Sequence, residues 1–282
     1  MELLEYTLKK IISLKAVNRR TRAMEIRLQR KIDSLFNKAF TKTLSELKAM
    51  DYTPSDATTR RLIIKAVEDM EEQYLQVLSD EGIKAAEQGR RKAISSLQRQ
   101  GISVSFSSFS KDVRDRIKDH IFEAGRLTMS RIKGDVMANL ADSYELGLGI
   151  DDAAERLAEE FGKMQDYQLK RIARTEINTF QNEGAHATME EMGVKYIMWI
   201  TAKDERVRDG TQNDADHVKL HGQIIRRGDR FENDLKHPHD RTGPIKQWIN
   251  CRCTEVPFIM PHNKRPPEGR SYFYESELED IA

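Results

Sequence analysis

Residues 166–202, DYQLKRIARTEINTFQNEGAHATMEEMGVKYIMWITA, decide the fold class, because their grammar changes at Gly193. Up to that glycine the stretch reads as one long helix, and Gly193 stands where a helix C-cap is expected. Beyond it, VKYIMWITA (194–202) is rich in β-branched and aromatic residues and reads as a strand. The chain is therefore expected to be α+β: an elongated, mainly helical N-terminal part followed by a small α/β C-terminal domain. The expected division is 1–164 for the helices, 165–260 for the small domain and 261–282 for a Pro-rich and then acidic tail.

The rest of the sequence divides in the same place. Of seven prolines only Pro54 precedes residue 238, and of seven histidines only His120 precedes residue 186. Upstream, Met24, Leu28, Ile32, Leu35, Ala39 and Leu47 recur at helical spacing and predict a helix over about residues 3–50. DYTPSDATTRR (51–61) breaks it, with Ser55 or Asp56 as N-cap. Leu62, Val67, Met70, Tyr74, Leu75 and Leu78 predict a second helix, and 81–99 a third. GISVSFSSFS (101–110) reads as a short strand or an extended linker. Val113, Ile117, Ile121, Ala124, Leu127, Ile132, Val136 and Leu140 predict a fourth helix. ELGLGIDDAAERLAEEF (145–161) is read as a turn, an Asp N-cap and a short helix. Downstream, 203–222 is read as a polar turn with a short helix, QIIRRGDRF as a strand or hairpin, and NCRCTEVPFI as a closing strand.

Composition narrows the function. Hydrophobic residues make up 38% and charged residues 33%, which favours long solvated helices over one large core. The net charge of +1 indicates no global field for nucleic acid. Locally, residues 1–50 hold twelve Lys/Arg against five Asp/Glu. That basic face suits a protein partner first and DNA phosphates second, since it lacks interleaved aromatics for base stacking. No apolar run is long enough for a membrane span, and the N-terminus does not read as a signal peptide. The reading is an intracellular site of synthesis.

Three groups of residues carry the candidate chemistry, and each keeps competing readings. Cys251 and Cys253, both cysteines of the chain, are read on one face of a strand. They suit a shared zinc ion, with His217, His221, His237 and His239 as available partners, or they are small buried apolar groups. A Cys-X-Cys disulfide would be strained. Asp204, Arg206 and Arg208 are read foremost as a polar knot with Arg252. The alternatives are a phosphate clamp or a nuclease site with His217 and Asn250. Arg174 and Glu176, two apart on a helix, point to different faces, either as clamp and partner contact or as ordinary surface charge.

The pieces IARTEINTFQNEG, YIMWITAKDERVRDG, HVKLHGQII and INCRCTEVPF occur in the order seen in the phage Mu F-like head-morphogenesis family, which residues 171–258 resemble. The matching positions are Arg174, Glu176, Trp199, Asp204, Arg206, Arg208, His217, Gly222, Asn250, Cys251, Arg252 and Cys253. One departure is His221, where the family often has an acidic or amide residue. The resemblance implies a minor capsid protein, not an enzyme, that joins the portal protein during procapsid assembly and lies inside the capsid near the portal. It further implies the major capsid or scaffolding protein and non-specific phage DNA as partners, no membrane, and no required cofactor; a structural zinc stays open from the Cys/His reading alone. Two other classes stand against it: a nuclease or transferase-like effector, and an internal DNA-binding head protein.

Overall fold

The computed structural model describes residues 14–50, 57–105 and 107–281. Its elements are α1 (Leu14–Met50), α2 (Ala57–Arg99), α3 (Lys111–Glu145), α4 (Ile150–Glu191), β1 (Tyr196–Ile200), β2 (Gln223–Arg226), a single turn α5 (Ile245–Trp248), β3 (Thr254–Phe258), β4 (Lys264–Arg265), β5 (Tyr272–Tyr274), a 3-10 turn (Glu275–Glu277) and β6 (Glu279–Asp280). The fold is α+β, as the sequence predicts. Two expected breaks are absent. Residues 57–99 form one helix rather than two, and 150–191 form one helix rather than a short and a long one. Asp151 and Asp152 lie in the first turn of α4, where their charge suits the helix dipole, rather than at an N-cap. Residues 3–13, the proposed caps Ser55 and Asp56, and the side chains of Leu47 and Leu140 lie outside the described residues.

The chain separates into two compact units. One comprises Glu25–Glu81 and Lys118–Ala173 and is helical. Its core draws Leu28, Ile32 and Phe36 from α1, four residues apart, so the buried stripe runs through Phe36 and leaves Leu35 half-buried. Phe36 stacks on Tyr74 with ring centroids 6.3 Å apart. Leu127, expected inward, is 63% exposed; Gly125 and Met129 take the inner face. A side chain at Gly125 would meet Leu75, with a Cβ 2.3 Å from its Cδ2. Glu81 is fully buried here, and is held by Arg27 at 2.8 Å and Lys31 at 2.9 Å.

The other unit comprises Met1–Met24, Gly82–Ile117 and Arg174–Ala282. Its sheet has the order β3-β1-β2-β5, antiparallel throughout. Ile197 pairs with Ile225 on one side and Pro257 on the other. Proline removes a ladder donor, and β3 carries it as an edge strand. Strand β1 is central and buried on both faces. Ile197 and Trp199 face Ala93, Leu97, Ala185, Met189 and both cysteines; Met198 and Ile200 face Val256, Phe258 and Phe273. Phe273 comes from β5, so residues read from the sequence as part of a tail supply an edge strand to this sheet.

Within this unit α2 and α4 meet backbone to backbone. A Cβ on Gly89 would lie 1.9 Å from the carbonyl oxygen of Gln181, and one on Gly184 2.0 Å from that of Ala86. Residues 101–105 and 107–110 form no strand. Their link is tied down by Arg90, which is buried, donates to the Ser107 carbonyl at 2.6 Å, pairs with Glu191 and covers the Phe109 ring at 4.7 Å. Helix α4 ends as expected at Gly193 (φ 65°): Val194 N–H donates to Met189 O at 2.9 Å and Gly193 N–H to Glu190 O at 3.0 Å, a Schellman closure. No helix of the described residues is long and apolar enough to cross a membrane.

Candidate functional site

The site is built around residues 249–253, which run extended into β3. The buried face of α4 presents polar residues toward them: Thr175, Thr179 and Asn182, all buried and three to four residues apart. Thr175 Oγ1 accepts from Asn250 N–H at 2.8 Å, and Arg174 donates to Asn250 Oδ1 at 3.0 Å. Asn182 donates to the Cys253 carbonyl at 3.1 Å and accepts from Glu255 N–H at 3.3 Å. Asn250 itself has φ 55°, a left-handed turn that asparagine tolerates better than most residues.

The β1–β2 loop grips the same segment from its other end. Asp204 takes both ends of the Arg252 guanidinium, at 2.6 and 2.5 Å. Those hydrogen bonds hold its carboxyl below the usual carboxylate range. Arg208 donates to the Ile249 carbonyl. Arg206 reaches Asp204 at 3.7 Å and stays 67% exposed. The polar-knot geometry is thus present, with Asp204 spent on two arginines rather than converging with other carboxylates.

The loop holds no helix at 214–222, contrary to expectation. Asp209, Asn213 and Asp216 each accept from the backbone N–H two residues on, at 3.0–3.1 Å. These local bonds compete with helix and favour turns. His217 therefore sits on a loop, fastened by its N–H to Arg208 O at 2.8 Å. Gly222 (φ 82°) closes the loop by donating to Trp199 O at 2.8 Å. His221 is outside the cluster; its Nδ1 accepts from Thr201 N–H at 3.1 Å, and burial, then the Lys203 charge, depresses its pKa to about 4.

The cysteines precede β3 rather than lying in it, yet both thiols face one way. His217 Nδ1 is 3.4 Å from Cys251 Sγ and 3.5 Å from Cys253 Sγ. All three side chains are buried, and they form the metal-ligand grouping found among the described residues. The Cys253 thiol's hydrogen bond pulls Cys251 well below the ordinary thiol value, with His217 and His239 adding to it. Burial, followed by the hydrogen bond and charge of Cys251, pushes Cys253 well above that value. His239 is buried, with its Nδ1 3.2 Å from Thr179 Oγ1; His237 is half-buried, with its ring tilted against His186 at 4.7 Å. Glu176 is buried and pairs with Arg241 at 2.5 Å, which in turn lies over the Trp248 ring at 5.0 Å. Burial raises the Glu176 pKa against the opposing pull of Arg241.

Sequence reasoning missed Thr175, Thr179, Asn182 and Gln247. The first three carry a legible signal: polar residues at helical spacing on a helix face otherwise built of Ile172, Ile177 and Phe180. Gln247, on α5, carries none.

The site belongs to a class in which side chains from a helix, a long loop and a short turn clasp one extended segment. Residues 134–256, less than half of the chain, match the family described as Phage Mu protein F like protein, and this segment is similar to it. An uncharacterized protein of Haemophilus influenzae is 30% identical over 110 residues. That match covers 38% of this chain and 20% of the relative, so the chain spans about a fifth of that relative's length. No solved structure matches.

Proposed function

We propose that this chain is a minor capsid protein of head morphogenesis that joins the portal protein during procapsid assembly and resides in the capsid interior near the portal. The observation that carries the reading is the phage Mu F-like segment at 134–256, whose motif residues meet in one clasp. In that reading Arg174, Asp204, Arg208, Asn250 and Arg252 hold a fold together rather than turn over a substrate. The exposed basic residues of α1 within the helical unit, among them Arg30, Lys38 and Lys42, offer a docking face for an acidic protein surface, with packaged DNA as a weaker, salt-sensitive partner.

The test is co-expression with the portal protein of the same gene cluster, followed by mass measurement of the purified complex. A complex of defined stoichiometry that dissociates when Arg30, Lys38 and Lys42 are changed to Glu supports the reading. Absence of any complex, together with metal-dependent nicking of plasmid DNA lost in an Asp204→Ala, His217→Ala variant, overturns it in favour of a nuclease.

A further inference from the structure

The cluster beneath the clasp has the composition and spacing of a closed metal site. We propose that His217 Nδ1, Cys251 Sγ, Cys253 Sγ and His239 Nε2 bind one structural zinc ion, which ties the β1–β2 loop and the 233–244 loop to the segment entering β3.

Three of these ligands are already at tetrahedral separations. Zinc bonds of about 2.3 Å to sulfur and about 2.0–2.1 Å to nitrogen place the nitrogen–sulfur edge of a tetrahedron at about 3.5 Å. The two edges present measure 3.4 and 3.5 Å. The protonation of His217 is set from behind. Its Nε2 lies 2.9 Å from Gln247 Oε1, and that same oxygen also accepts from Asn233 Nδ2 at 3.3 Å. The oxygen is an acceptor, so Nε2 carries the proton and the Nδ1 lone pair is left aimed at the sulfurs. A ligating histidine fixed in this way by its other nitrogen is the usual arrangement around a metal.

His239 supplies the fourth ligand. Its Nδ1 is 3.2 Å from Thr179 Oγ1, while its Nε2 is buried with no hydrogen-bond partner. Its backbone is left-handed, at φ 67°, and the Asp240 side chain braces the turn by accepting from Thr242 N–H and Lys236 N–H. A strained residue held this firmly, with a buried nitrogen that has no partner, is out of place in a merely apolar pocket; it stands outside the group formed by His217 and the two cysteines, so it has to close on them when the ion binds. Two further details suit sulfur that carries charge. Cys253 N–H points at Cys251 Sγ, 3.4 Å away, and Trp199, in the same buried cluster as both cysteines, has an indole N–H with no hydrogen-bond partner.

The donor set decides the metal and its role. Two thiolates and two imidazoles in a tetrahedron select zinc over the oxygen-seeking cations. All four ligands come from the protein, and they are buried, so no position is open for substrate or a reactive water. With Arg252 neutralised by Asp204, the site as a whole carries little net charge.

The experiment is metal analysis of the full chain purified without chelator and dialysed against excess zinc, then against metal-free buffer. One zinc per chain is expected. Cobalt replacement should give the intense visible bands of a tetrahedral centre and the near-ultraviolet charge-transfer band of thiolate ligands. Chelator competition should show His239→Ala weakening zinc binding at least tenfold, with Cys251→Ser and His217→Ala abolishing it. Unsubstituted protein that retains no zinc, with both thiols titrating as free, overturns the proposal however the variants behave. Zinc bound equally well by His239→Ala, with an unchanged cobalt spectrum, overturns the assignment of the fourth ligand.

Discussion

The helical unit and the sheet-bearing unit are held together by different means. In the first, Leu28, Ile32, Phe36, Val67, Met70, Tyr74 and Leu78 form apolar stripes, and Glu81, one of its buried carboxylates, is satisfied by two cations of α1. In the second, strand β1 is buried on both faces, but the long loops around it are fixed by side-chain hydrogen bonds from Asp, Asn, Thr, Arg and His. Apolar stripes are redundant and tolerant, because dispersion and burial are non-directional. Hydrogen-bonded loops are directional, and losing one partner leaves another buried and unpaired. The lesson is that equal losses of stability should have unequal reach: global in the helices, local in the loops.

The largest effect is expected where backbones touch. Gly184→Val places side-chain carbon against the Ala86 carbonyl, which has no rotamer to yield. Denaturant melts should show a loss of about 3 kcal/mol or more, at the upper end of overpacking costs. Gly125→Ala, which meets side-chain ends of Leu75 and Leu78 and no backbone, should cost clearly less. Equal costs would break the distinction between backbone and side-chain contact.

Next comes Ile32→Ala, which empties a fully buried position of the helical unit. A loss of about 2–4 kcal/mol is expected, with accelerated proteolysis spread over α1 and α2. Cleavage confined to 201–253 would contradict the comparison.

A smaller loss, about 1–2 kcal/mol, is expected for Arg252→Met, which leaves the Asp204 carboxylate without its bidentate partner. Its signature is location. Hydrogen exchange should quicken in 201–222 and 249–253 while the helices keep their protection. Uniform loss of protection would show that the clasp is not a local unit.

The smallest effect concerns His221. Its folded pKa is about 4, against about 6.5 for a free imidazole. Between those values the unfolded chain binds the extra proton, so this contribution is complete above about pH 6.5 and declines as pH falls toward 4. The melting temperature should drop over that window, and His221→Gln should flatten the drop. A profile unchanged by the substitution would assign the acid sensitivity to other groups.

Legibility followed the same line. Helix α3 and the handover at Gly193 were readable because periodicity and a glycine cap are local signals. The joins inside 57–99 and 150–191 were misread as breaks, since Ser79 and Asp80 at the first and Gly162 at the second suit helix ends but are tolerated within helices supported by packing. The helix expected at 214–222 failed for the opposite reason: Asp and Asn side chains captured nearby N–H groups and held the chain in turns. Of the site, Asp204, Arg208, His217, Asn250, Cys251, Arg252 and Cys253 were legible as candidates, but their pairings were not.

By itself the sequence determined the α+β class, the long helices, the three strands β1, β2 and β3, and the order of motifs that marks the phage Mu F-like segment. These rest on neighbours in the chain, whose geometry is set by the backbone. Only the tertiary structure decided that Asp204 closes on Arg252, that Thr175 and Asn182 reach across to residues 250–255, that β5 completes the sheet, and that His217 meets both cysteines while His237 packs against His186. The physical reason is that these partners are tens of residues apart along the chain. Which of several chemically equivalent histidines or aspartates meets a given group depends on how the loops are folded, and no local pattern records that.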